Sequence, residues 1–326
     1  MKLMKRKNKK KNIPIRETFC SGFFIASIPC KNSTIIEESE SYPSQCSHKS
    51  CSILSSMEPE ILMRYPLEDN DEIEISDLAA TLCFPSGIKI CHSDSDPERM
   101  KDYLTLLTNK VGDRLYILTY HFYLKMDKND FDKKYDDYPL KQKLKQLDDK
   151  IKGADLKVMN TKNNKYFEEL KVYKELEFKK FIYIPYCLAL ISKYPYTKQI
   201  KRSLECIFKI IEYQAYNEEL ELNELLMYLI HSIPSPNKYS IVSFPLPELI
   251  YNKKNRKNII VDLDLPSDTN ILNSNLCEIM KLFRIKNIIR IIRLLLFEKK
   301  IVFIDNDYSR LTNVINSFLS LIYPFQ

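Results

Sequence analysis

Four histidines, nine cysteines and one acidic run are the residues of this 326-residue chain that could carry chemistry, and their spacing decides whether they do. Cys46, His48 and Cys51 stand close together in CSHKSC, as metal ligands would. No CxxC or HxxxH half-site accompanies them, so no metal site is expected. His48, His92, His121 and His231 are scattered, with His121 inside a strand-like run and His231 just ahead of a proline. Each reads as a surface or hydrogen-bonded histidine rather than a general base. The carboxylates of DNDEIEISD read as a solvated acidic loop, because nothing in their spacing singles out an acid/base pair. The four glycines, Gly22, Gly87, Gly112 and Gly153, complete neither GxxxxGK(S/T) nor GxGxxG, the two familiar phosphate cradles. GxSxG and HExxH are missing too. The residues therefore point to a binding protein with no catalytic group and no cofactor.

The elements that would position a binding surface are more legible. Phe19 to Ile28 is a short apolar and aromatic run that reads as a first strand. LAATLCFPSGIKI brings a strand-like segment to a turn at Pro85, Ser86 and Gly87. Tyr103 to Thr108 and Leu115 to Leu124 flank a polar turn with Asn109, Gly112 and Asp113, the sequence form of a β-hairpin. From position 181 the pattern changes. YCLALISKY and IKRSLECIFKIIEYQAY look helical, as does ELNELLMYLIHSIP up to Pro234. KYSIVSFPLPEL reads as a strand, and a helix is expected from near Leu276, capped by Asn273 or Ser274, with another running to Phe297. KKIVFID reads as a buried strand. Ser309 is the expected N-cap of a last helix that places Leu311, Val314, Ile315, Phe318 and Leu319 at helical spacing. Strands alternating with helices suggest a partly parallel sheet.

Composition bounds the rest. Hydrophobic residues make up 44% of the chain, enough for real cores. Arg284, Lys286, Arg290, Arg293 and Glu298 interrupt the most apolar stretch, so no membrane span is expected. The net charge of +7 resides in Lys2, Lys5, Arg6, Lys7, Lys9, Lys10 and Lys11. A basic tail over 1–18 could touch an anionic membrane, while the balanced remainder argues against a dedicated nucleic-acid face. The odd, scattered cysteines read as reduced thiols of a cytoplasmic protein. A Ser-rich insertion at 31–57 lies within a first lobe (19–124), and a charged linker at 125–180 separates that lobe from a second (181–326).

Several segments, in order, resemble the DENN domain: FCSGFFIASI, PEILMRYP, the Phe84-Pro85-x-Gly87 turn, and the hairpin with Leu107, Thr108, Gly112, Arg114 and Tyr116. The resemblance continues through Tyr183, Pro185, Leu190, Ser192 and Tyr196, the proline pair of IPSP, and the run from Ile279 through Leu295, Glu298, Ile301 to Ile304, Ser309, Leu311 and Thr312 to Tyr323-Pro324-Phe325. It implies an α/β (α+β) fold of two lobes, an N-terminal longin-like antiparallel sheet and a C-terminal helix–strand sandwich. The family pattern runs on into further helices, so the second lobe is expected to be incomplete at its C-terminus. The resemblance also implies a guanine-nucleotide exchange factor for a Rab-family small GTPase, recruited to vesicle or organelle membranes. A DENN-fold adaptor that binds without exchange is the alternative. Arg114, Ser192, Glu298, Ser309 and Arg310, the polar residues beside these motifs, are the expected GTPase contacts.

Overall fold

The computed structural model describes residues 17–28, 57–68, 75, 77–109, 112–127, 131, 181–214, 222–237, 240–248, 257–264 and 276–322. The basic tail, nearly all of the Ser-rich insertion and the linker, the cap at 273–274 and the closing Tyr-Pro-Phe lie outside these residues. No helix among the described residues is long and apolar enough to cross a membrane.

The fold is mixed α/β around an antiparallel sheet. Its strands are β1 (Gly22–Ser27), β2 (Glu60–Tyr65), β3 (Cys91–Ser93), β4 (Leu104–Thr108), β5 (Arg114–Asp127) and β6 (Phe181–Ser192). They run in the order β2-β1-β6-β5-β4, with β3 pairing the start of β6. The expected hairpin is β4–β5, in register from Leu104↔Leu118 to Thr108↔Arg114. Its turn is closed by the Asn109 side chain, whose Oδ1 accepts the Asp113 N–H at 2.7 Å. Gly112 there has φ +97°, a left-handed conformation that L side chains rarely adopt.

Three expectations fail on this sheet. YCLALISKY belongs to strand β6, not a helix, and β6 lies at the centre, pairing β5 along its whole length and β3 and β1 on its other side. A strand buried on both faces has no polar alternation, and periodicity alone cannot separate it from a buried helix. LAATLCF is helix α1 (Asp77–Cys83), with Ala79, Ala80 and Cys83 buried at helical spacing and Leu78 facing solvent. Alanine's helix preference outweighs the strand-like look of the run. Every strand pair is antiparallel among the described residues, including β7 (Ile241–Glu248) with β8 (Lys257–Asp264), so the partly parallel sheet is not found.

Both faces of the sheet are covered. Phe24, Leu115, Ile117, Ala189 and Ile191 pack with α1, Phe84, Ile88 and Ile90 on one face. On the other, Phe23, Leu118, Leu188 and Leu190 meet helix α2 (Thr197–Gln214), helix α3 (Leu222–Met227) with its π-helical continuation Tyr228–Ser232, and the β7–β8 ribbon. The apolar stripe Ile200, Leu204 and Ile207 of α2 is fully buried there, as a 3.6-residue period requires.

A smaller third core joins α4 (Leu276–Leu282), α5 (Ile285–Leu296) and α6 (Tyr308–Leu321). The Phe318 ring meets Phe283 at 5.8 Å and Phe303 at 5.6 Å. The expected helices are present, but KKIVFID is not a buried strand. Its residues pair with no strand among those described, and Val302 and Ile304 are 82% and 90% exposed. Leu311 is half-buried, while Val314 and Phe318 carry the core.

Candidate functional site

The beginning of α6 folds back onto the Phe84–Gly87 turn and onto the chain that enters β4, bringing together residues about 200 positions apart. The expected N-cap is displaced by two residues. Asp307, not Ser309, caps α6, its Oδ1 accepting the Arg310 N–H at 3.1 Å. An Asp at this place satisfies one of the four N–H groups that a helix start leaves unpaired, and its charge suits the positive end of the helix dipole. Ser309 lies inside the first turn, and its carbonyl accepts from Thr312.

Asp307 also reaches across the junction. Its Oδ2 accepts from the Lys101 ammonium at 2.6 Å. Desolvation pushes the Asp307 carboxyl up, but Lys101 and the capped N–H outweigh it and hold the group below the ordinary aspartate value. Next to it, Arg310 grips Asp305 with two nitrogens, at 2.6 Å and 2.5 Å. That paired guanidinium, with the Asp307 N–H, keeps the Asp305 carboxyl well below its usual range. The bidentate geometry fixes the guanidinium plane, which a lysine could not do.

The Phe84-Pro85-Ser86-Gly87 turn supplies the other wall. The Gly87 N–H donates to the Phe84 carbonyl at 2.9 Å, with Gly87 at φ 70°. The turn then presents the Ser86 hydroxyl to the Tyr308 hydroxyl in a close hydrogen bond. Tyr103 lies 5.8 Å from the Tyr308 ring, and its own hydroxyl donates to the carbonyls of Leu82 and Cys83 at the end of α1. Beneath it His121 is stacked on Tyr103 at 5.5 Å and bonded through Nε2 to the Cys83 carbonyl at 3.0 Å. Burial pushes the His121 imidazolium pKa down. These contacts lock elements together. They hold no nucleophile beside a base, and no group of three or more His, Cys, Asp and Glu among the described residues is arranged to hold a metal ion.

The five residues expected from the sequence do not converge. Arg114 is exposed at the first position of β5. Ser192 is fully buried and donates to the Phe19 carbonyl at 2.7 Å, tying β6 to the chain ahead of β1. Only Ser309 and Arg310 belong to the junction. Glu298 is exposed at the end of α5 with φ 55°, the one non-glycine residue of positive φ among those described. Its N–H donates to Leu295 and that of Lys299 to Leu294, at 2.9 and 3.0 Å. This is the paired closure of a Schellman helix end, where glycine is the favoured residue. Glu298→Gly is therefore expected to stabilise the protein by about 0.5–1 kcal/mol, read as a raised denaturation midpoint. A loss of stability would mean that the Glu298 side chain holds the helix end.

Asp305, Asp307, Tyr308 and Lys101 were not singled out by sequence, and Ser86 was read only as part of a turn. Asp307 had a local signal, an aspartate three residues ahead of Arg310, which competed with Ser309 only two positions away. Asp307→Ala should cost about 1 kcal/mol through the lost cap, whereas Asp307→Asn should stay within a few tenths of wild type. Equal losses in urea titrations would assign the effect to the Lys101 ion pair instead.

Comparison with known proteins agrees with this architecture. Residues 59–122 match the uDENN domain and residues 183–326 the DENN (AEX-3) domain. The chain belongs to the DENN-domain family. It is similar to DENN domain-containing protein 3 of Mus musculus, at 24% identity over 148 residues, covering 44% of this chain and 11% of that protein. It is likewise similar to DENN domain and WD repeat-containing protein SCD1 of Arabidopsis thaliana, at 24% identity over 147 residues, covering 44% of this chain and 12% of that one. The chain thus spans about a tenth of the length of these curated relatives. No solved structure matches it significantly. DENN-domain proteins are generally exchange factors for Rab GTPases.

Proposed function

We propose that this chain is a guanine-nucleotide exchange factor for a Rab-family small GTPase, working in membrane traffic from the cytoplasm. The observation that carries the reading is the pair of matches, uDENN followed by DENN, in one chain. The fold supports it, because β6, where the DENN match begins, is the central strand between β1 and β5, so the two stretches share one sheet. The Ser86 turn and α6 are bonded across the same boundary. A rigid composite surface of this kind suits a protein that works by binding alone.

Exchange then needs no bond chemistry. A factor that holds the empty GTPase more tightly than the loaded one lowers nucleotide affinity by the ratio of the two binding constants. Linkage makes the effect reciprocal, so nucleotide must weaken the factor's own grip by the same ratio. A specific contact should bury at least ~1,000 Å². Arg114, Glu298, Ser309 and Arg310, all wholly or partly open to solvent, are the proposed polar contacts. Ser192, being internal, supports the surface from beneath.

The test is binding to a panel of purified Rab proteins in the empty, GDP and GTP states. Tightest capture of an empty Rab, released by added nucleotide, is expected. Capture of the GTP-loaded form alone would replace exchange with an adaptor role.

A further inference from the structure

Helices α4, α5 and α6 pack around a core that shares no residue with either core of the sheet. No common apolar cluster therefore orients this helical unit on the sheet. Helix α6 touches the sheet at β4. The meeting is made by the Ser86 hydroxyl on the Tyr308 hydroxyl, the Lys101 ammonium on Asp307 Oδ2 at 2.6 Å, and the Tyr103 and Tyr308 rings at 5.8 Å. Ser86 and Lys101 stand on the sheet side and are exposed. The carboxylate that Lys101 grips cannot swing freely, because its other oxygen is held by the Arg310 N–H. Two directional contacts on consecutive residues, Asp307 and Tyr308, fix how the start of α6 is turned, which an apolar contact alone would let slide.

We infer that Ser86 and Lys101 are positioning residues, which clamp α6 at one angle to the sheet so that Ser309, Arg310 and Glu298 meet the same GTPase as Arg114. The inference rests on the exchange reading. Arg114 opens β5, in register with Thr108 of β4, the strand that α6 touches. The other three proposed contacts are carried by the helical unit. One partner must then engage two bodies that have separate cores. When their angle is fixed beforehand, the second contact forms at an effective concentration set by that geometry, and no freedom of the two bodies is lost on binding. An exposed ion pair and a surface hydroxyl contact add little to stability. The clamp can thus be removed without unfolding any core.

Substitutions on the sheet side leave α6, its cap and every proposed contact unchanged. For the full chain carrying Ser86→Ala with Lys101→Ala, the concentration that half-saturates GDP release from a responsive Rab is expected to rise about tenfold. The rate at saturation should stay within about twofold, and the urea midpoint should not move. Lys101→Arg, which keeps the charge, should behave as wild type. The clamp itself is read without any GTPase. A water-soluble carbodiimide joins an amine to a carboxylate in direct contact, so mass spectrometry of the treated wild-type chain should find an isopeptide between Lys101 and Asp307. Absence of that link would overturn the clamp. A link beside an unchanged half-saturating concentration in the double variant would overturn the positioning role, and so would a rise matched by a lowered urea midpoint. A wild-type chain that forms the link but acts on no Rab would overturn the role through the exchange reading instead.

Discussion

Ala189→Asp and Leu190→Asp should each abolish stable folding, at a cost of about 4 kcal/mol or more, although the two residues are adjacent in the chain. Neighbours in a strand point to opposite faces of the sheet. Ala189 stands between Phe24 and Thr119 on the α1 side, and Leu190 between Phe23 and Leu118 on the α2 side. Neither is exposed at all. A carboxylate at either place has no cation within the core to pair with, so it must be buried neutral or the sheet must open. Urea unfolding, or soluble yield where unfolding is complete, reads the result. If one of the two substitutions is tolerated within about 0.5 kcal/mol, the sheet is not covered on both faces.

The second large effect depends on pH. His121 is 1% exposed, donates through Nε2 to the Cys83 carbonyl and leaves Nδ1 without a partner among the described residues. Desolvation lowers its pKa, and the Asp102 carboxylate offsets this only in part. The unfolded chain thus takes up a proton near pH 6.5, while the folded one resists it until the pH is lower. Stability contributed by neutral His121 is complete above that value and declines as pH falls through the window beneath it, at up to about 1.4 kcal/mol per pH unit. His121→Phe should remove this dependence with little loss at pH 8, because the Cys83 carbonyl keeps its 2.8 Å bond from Tyr103 and the ring still meets Tyr103 and Phe84. Stability measured from pH 8 to pH 5 decides it. An equal acid slope in the variant and the wild type would place the titrating group elsewhere.

What the sequence revealed, and what it hid, follows from the range of the interactions. The β4–β5 hairpin could be read because its turn chemistry is local, in Asn109, Gly112 and Asp113. Helix α6 could be read because Val314 and Phe318 recur at one helical stripe. Strand β6 could not, since a run apolar on both sides carries no period, and what makes it a strand is the pairing with β1 and β5, set by residues 54 to 169 positions earlier. The segment 301–304 shows the converse. It alternates between half-buried and exposed like a strand, but strand propensity needs a partner to become a sheet. The family resemblance located both walls of the junction, at Phe84 to Gly87 and Ser309 to Arg310. It did not find their contacts, because Ser86 with Tyr308 and Lys101 with Asp307 are separated by 222 and 206 residues. No spacing rule spans such a distance.

Exchange activity is most directly tested by the release of a fluorescent GDP analogue from each of a panel of Rab proteins, followed with and without this chain in excess unlabelled nucleotide. Release from at least one Rab should accelerate in proportion to the concentration of the chain, and then saturate as the complex forms. Unchanged release from every Rab, including any that the chain captures when loaded with GTP, would contradict the account and leave a GTPase-binding adaptor in its place.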